Sequence, residues 1–176
     1  MPLGRAKGLI EIFMDEEQLE ETAYHESGHA FAAANFGGRV RSLSIRPDRD
    51  DGPERFGDVT VVWPQGQMSP REFQNKLVLV ALSGPVAEMI YRGEPLHPGF
   101  VAEWADDWRS AWAAAEPLIP DERQRLALLE EAARELHKFL SRDDSWAAIA
   151  ALADNLLAYE VLESEQIHEI LSAWMQ

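Results

Sequence analysis

Residues 22–30 read Thr22-Ala23-Tyr24-His25-Glu26-Ser27-Gly28-His29-Ala30, and the spacing of the two histidines predicts both a local structure and a chemistry. Residues four apart on an α-helix lie about 40° apart around its axis, so His25 and His29 project from one face. Two imidazoles stacked this way form adjacent corners of a tetrahedral zinc site. Glu26 points about 100° away, too far round to join them as a ligand but near enough to take a proton from a metal-activated water. The H-E-x-x-H pattern therefore nominates His25 and His29 as zinc ligands and Glu26 as general base. Ala23, Tyr24, Ala30, Phe31 and Ala34 fall on the other side and are expected in the core.

The helix carrying this motif is expected to start at a capping box formed by Asp15 and Gln18, with the acidic run Glu16 to Glu21 suiting its positive end. It should run to about Phe36, where Gly37 and Gly38 supply a left-handed closing residue. Val40 to Ile45 and Asp58 to Trp63 read as two strands of a small antiparallel sheet. In and around the Arg46 to Gly57 loop, Arg39, Arg41, Arg46, Arg49 and Arg55 interleave with Asp48, Asp50, Asp51, Glu54 and Asp58, which reads as a solvated mixed-charge segment.

Ser69, Pro70 and Glu72 occupy the N-cap, first and third positions of a second helix. Phe73, Leu77, Val78, Val80 and Ala81 form its core face. Gly84-Pro85 is expected to kink or split it before a continuation to about Tyr91, with Gly93 beyond the end. A third helix is expected from Phe100 to about Glu116, stopped by Pro117 and Pro120. Helical patterns follow near Asp121 to Leu140, Ser145 to Tyr159 and Ser164 to Trp174. The expected fold is mainly α with a small antiparallel β-sheet (α+β), one domain over residues 1–176 with 1–14 as a flexible lead-in.

Composition narrows the classes of function. The 176 residues carry 16 Lys+Arg against 31 Asp+Glu, a net charge of -15, which disfavours nucleic-acid and anionic-membrane partners. With no cysteine, disulfides, iron–sulfur clusters and thiol catalysis are excluded, leaving histidine and carboxylate as metal ligands. The apolar run Leu9 to Phe13 is broken by Glu11 and is neither a signal-peptide core nor a membrane span, so a soluble, cytoplasmic protein is expected. None of the three lysines, Lys7, Lys76 and Lys138, sits in a phosphate-cradling loop.

A catalytic zinc takes a third protein ligand and keeps one position open. Glu88, Glu103, Asp106, Asp107, His97, His137 and His168 all lie downstream, and spacing does not choose among them. Trp104, Trp108 and Trp112 form a stripe at helical spacing that reads as core or subunit interface, placed to help position Asp107 one turn away.

Several segments together resemble the peptidase domain of the FtsH-type ATP-dependent zinc metalloproteases. Thr22 to Ala30 is similar to that family's TAYHEAGHA, with Ser27 in place of alanine. Val40 to Thr60, ending Gly57-Asp58-Val59-Thr60, is similar to its strand, loop and second strand. Leu82-Ser83-Gly84-Pro85-Val86-Ala87-Glu88 is similar to its L-x-G-R-x-A-E element, and Ala105-Asp106-Asp107-Trp108-Arg109 falls where the family carries its aspartate ligand. Ile149 to Leu171 is similar to its closing helices.

The resemblance implies a zincin-like helical metallopeptidase domain with Zn2+ as cofactor. It implies Asp107 as the third ligand, with Asp106 the nearest rival, and Glu88 supporting the ligands from behind. Pro85 stands where the family has arginine and Met89 where it has a second acid, differences that bear on substrate preference more than on chemistry.

The expected function is hydrolysis of peptide bonds in unfolded polypeptides or peptides, ATP-independent in a lone chain, with Glu26 activating the water. An extended substrate would add to an edge strand near Asp58 to Trp63. A homo-oligomer or a separate ATPase partner is implied by the ring-forming, ATPase-fused relatives. The alternatives are a catalytically silent zinc-binding interaction module of the same fold, and a helical assembly protein whose histidines coincide by chance.

Overall fold

A computed structural model of the protein describes residues 16–46, 58–95 and 97–175. The Asp15 cap, the lead-in segment 1–14 and most of the mixed-charge loop, including Arg49 and Arg55, lie outside the described residues. Helix α1 (Glu16–Asn35) begins with Glu16 and Glu17, acids that suit the exposed amides of its first turn. It closes in a Schellman arrangement around Gly37, whose φ is +96°. The Gly38 N–H donates to the Ala33 carbonyl at 2.8 Å and the Gly37 N–H to Ala34 at 3.3 Å.

Strands β1 (Arg39–Ser44) and β2 (Asp58–Val62) pair antiparallel, as expected, with the register interrupted between Val40 and Ser42. A third strand, β3 (Val161–Glu163), was not anticipated; it pairs antiparallel with the other edge of β1, so the order is β2-β1-β3. Three residues are too few for a periodic pattern, and β3 forms because Leu162 lies opposite Leu43, both fully buried. Val59 lies opposite Leu43 on the other side, giving an apolar row across the sheet.

Helix α2 (Pro70–Arg92) opens with a complete capping box: the Glu72 N–H donates to the Ser69 hydroxyl and the Ser69 N–H to the Glu72 carboxylate. The expected split at Gly84-Pro85 does not occur, and the helix is continuous to Arg92. Proline crowds the Cβ of the residue before it, and Gly84 has none, so much of the clash is relieved. What remains is one missing bond to Ala81, which packing against α1 and the helices that follow offsets.

The third helix starts later than expected. Two 3₁₀ turns, Pro98–Phe100 and Ala102–Trp104, precede α3 (Ala105–Ala115), with Val101 extended between them. His97 caps the first turn by accepting the Gly99 N–H at 3.0 Å. Helices α4 (Glu122–Leu140), α5 (Asp143–Tyr159) and α6 (Ser164–Ser172) complete the chain, and Asp121 caps α4 through the Gln124 N–H. Buried Arg125 ties down the connector before α4 by donating to the Ile119 and Pro120 carbonyls, with its guanidinium over the Trp112 ring.

The core positions the motif. Helix α1 packs on α2, on α5 and on the sheet, and α2 in turn packs on α3 and α4. The crossing of α1 and α2 is close because a Cβ on Gly28 would lie 2.5 Å from the Ala87 Cβ and 2.6 Å from the Ser83 carbonyl oxygen. Only glycine fits there.

Candidate metal centre

Both histidines of α1 are buried, each 8% exposed, and face the junction of α2 and α3. The Nε2 atoms of His25 and His29 lie 3.2 Å apart. From the first turn of α3, Asp107 reaches in with Oδ2 2.8 Å from His25 Nε2 and Oδ1 3.3 Å from His29 Nε2. Among the described residues this trio is the one group of three or more such side chains that could hold a metal ion.

Backbone and side-chain partners set the direction of each ring. His29 Nδ1 lies 2.7 Å from the Val80 carbonyl, which can only accept, so Nδ1 carries the proton and Nε2 presents a lone pair. His25 turns Nδ1 toward Glu88 Oε2 at 3.6 Å and Nε2 inward. The same Glu88 oxygen accepts the indole N–H of Trp104. Helix α2 makes room for the arrangement at Gly84, where a Cβ would sit 2.2 Å from His29 Nε2.

Two imidazole nitrogens and a carboxylate thus converge on one point, and a shared proton or a bound metal ion reconciles them at such distances. A proton serves in the metal-free protein. Burial alone pushes His25 down, but hydrogen bonds to Asp107 and Glu88, with the charges of Asp107 and Glu26, outweigh it and raise its pKa to about 10. Burial likewise pushes Asp107 up, and the adjoining imidazoles more than reverse it, holding the carboxyl well below the usual carboxylate range.

A divalent metal serves equally well by geometry. Bonds of about 2.0–2.1 Å at tetrahedral angles separate ligand atoms by roughly 3.3 Å, close to the observed 2.8–3.3 Å. The outward nitrogen of His29 is hydrogen-bonded to a carbonyl and that of His25 faces a carboxylate at 3.6 Å, the kind of support found behind metal-bound histidines. The residues fit such an ion.

The sequence nominees separate cleanly. His25, His29 and Asp107 come together, and Glu26 is buried beside them on α1. Glu88 stands behind His25. Asp106, the rival of Asp107, turns outward to pair with Arg109. His97 pairs with Glu130 at 3.4 Å, while Glu103, His137 and His168 are exposed on other surfaces.

Gly84, the Val80 carbonyl and the Trp104 indole were not foreseen in these roles. Gly84 stood out only as a helix breaker, and Trp104 only as one of a stripe lying one turn from Asp107, with no link to Glu88. That stripe divides: Trp104 is fully buried against Glu88, whereas Trp108 lies beside His97 and Trp112 beneath Arg125.

The fold and site define an α+β protein, mainly helical, with a candidate metal centre formed by two histidines of α1 and an aspartate of α3. Compared with known proteins, the chain matches no protein-family model and no curated sequence.

Proposed function

We propose that the protein is a zinc-dependent metallopeptidase of zincin-like architecture, related to the FtsH-type peptidase domains, that hydrolyses peptide bonds in unfolded polypeptides or peptides. The observation that carries this reading is the convergence of His25 Nε2, His29 Nε2 and Asp107 within 2.8–3.3 Å, with Glu26 one residue along the same helix. Two imidazoles and one carboxylate, in a chain without cysteine, make a ligand set suited to zinc with a position left open. When bound there, the ion supplies Lewis acidity, acidifying a water and polarising a carbonyl oxygen.

The protein's own groups do the rest. Glu26 takes the proton from the attacking water and passes it to the leaving amine. The Val80 carbonyl and Glu88 hold the two imidazoles in the tautomers that aim Nε2 inward. Among the described residues β2 pairs only with β1, so its outer edge offers backbone groups to an extended chain, which supports strand addition as the way substrate is held. Among those residues, no helix is long and apolar enough to cross a membrane.

A catalytically silent metal-binding module is the second reading, favoured by the burial of the ligand residues, which are only 5–8% exposed. One experiment separates the two: a labelled unfolded protein is incubated with the zinc-loaded chain and with Glu26→Gln, without added ATP. Cleavage by the parent protein, lost in Glu26→Gln at equal zinc content, supports the peptidase. Cleavage undiminished in Glu26→Gln sinks it, and stoichiometric zinc with no cleavage by either supports the silent module.

A further inference from the structure

We propose that Trp104 is a positioning residue for the metal centre, acting through Glu88 on His25; the inference rests on the metal-binding reading above. Trp104 is fully buried, and its indole N–H, a donor with no acceptor capacity, finds its partner in Glu88 Oε2. That oxygen is the one facing His25 Nδ1 at 3.6 Å. A single carboxylate oxygen therefore accepts the indole proton and faces His25 Nδ1, and the chain Trp104–Glu88–His25 crosses from the lead-in of α3 through α2 to α1. A carboxylate on a flexible two-carbon stem, 8% exposed, would otherwise have other rotamers open to it. The buried donor selects the one that faces His25.

Trp104 also sits at the N-cap of α3, three residues before Asp107. One bulky side chain thereby seats the turn that delivers the carboxylate ligand and orients the ring opposite it. Trp108 and Trp112, engaged with His97 and Arg125, make neither contact. This difference within the stripe distinguishes a role toward the site from general core filling.

The test compares zinc affinity, by competition with a chromogenic chelator, in the parent protein, Trp104→Phe, Glu88→Gln and the double variant. Phenylalanine keeps an aromatic ring and removes the donor. Each single substitution is expected to weaken zinc binding by about tenfold or more. The double variant is expected to be little worse than either single one, because both break one chain.

A second readout does not depend on zinc or on Trp104→Phe folding. In a proton–nitrogen correlation spectrum of the metal-free protein, the Trp104 indole signal should lie downfield and move upfield in Glu88→Gln. Space filling alone would not produce that shift. No zinc binding by the parent protein overturns the metal reading and this inference with it. Zinc binding by the parent with folded Trp104→Phe within twofold of it overturns this inference alone. If Trp104→Phe does not fold, an indole signal unmoved in Glu88→Gln overturns it.

Discussion

Ser27 illustrates how little freedom the motif leaves its own neighbours. It is fully buried, and its hydroxyl has no hydrogen-bond partner among the described residues. An unsatisfied buried hydroxyl costs about 1–3 kcal/mol, and alanine is the better helix former. Ser27→Ala should therefore stabilise the protein by about 1 kcal/mol, raising the thermal midpoint by roughly 2–4 °C. A lower midpoint would show that the hydroxyl has a function the static structure conceals.

His25 makes a second prediction, in pH. Its pKa is raised from 6.5 to about 10, so its pairing with Asp107 and Glu88 stabilises the metal-free protein fully below about pH 6.5 and fades as pH rises through 10. Asp107 is shifted the opposite way, and its share is present above its ordinary value of 3.8 and lost as pH falls. The pair therefore helps most between those two limits. Metal must displace the His25 proton, so apparent zinc affinity should tighten about tenfold from pH 7 to pH 8 in a chelator competition. Affinity independent of pH would mean that His25 is not the protonated member.

The helices were the most legible elements, because their start and stop signals are local. Ser69 with Glu72, Gly37 and Gly93 each act within one turn, and the structure uses all of them. A split at Gly84-Pro85 does not occur because the residue before the proline lacks a Cβ. Gly84 both relieves the proline and clears the space that His29 Nε2 occupies.

Gly84→Ala tests that account. Helix propensity alone predicts a gain of up to about 1 kcal/mol. A methyl group 2.2 Å from His29 Nε2 is far inside contact distance, so the ring must leave its position. The variant should lose most of its zinc affinity and be destabilised by about 1–3 kcal/mol in denaturant unfolding. Unchanged zinc binding would show that the imidazole is free to adjust.

For the molecule as a whole, the mainly helical α+β class and the antiparallel pairing of β1 and β2 were readable from periodicity and turn residues. The third strand and the packing partners of each helix were not, because they depend on which distant residues meet. The same division holds at the site. His25, Glu26 and His29 declare themselves by spacing on one helix, whereas Asp107 is brought to them across 82 residues from His25 by the packing of α3 on α2. Spacing could not separate it from Asp106, and the resemblance to a known family could only nominate it. The structure separates them by direction, since Asp107 is 5% exposed and turned inward while Asp106 pairs with Arg109 at the surface.

That separation makes the decisive measurement simple. Zinc stoichiometry and affinity should be determined for the parent protein, Asp107→Ala and Asp106→Ala under one set of conditions. The parent and Asp106→Ala should each bind one zinc with similar affinity, and Asp107→Ala should lose affinity by at least about a hundredfold, the cost of removing a direct ligand exceeding that of a supporting residue. Equal affinities in all three proteins, or a greater loss in Asp106→Ala, would contradict a His25-His29-Asp107 metal centre.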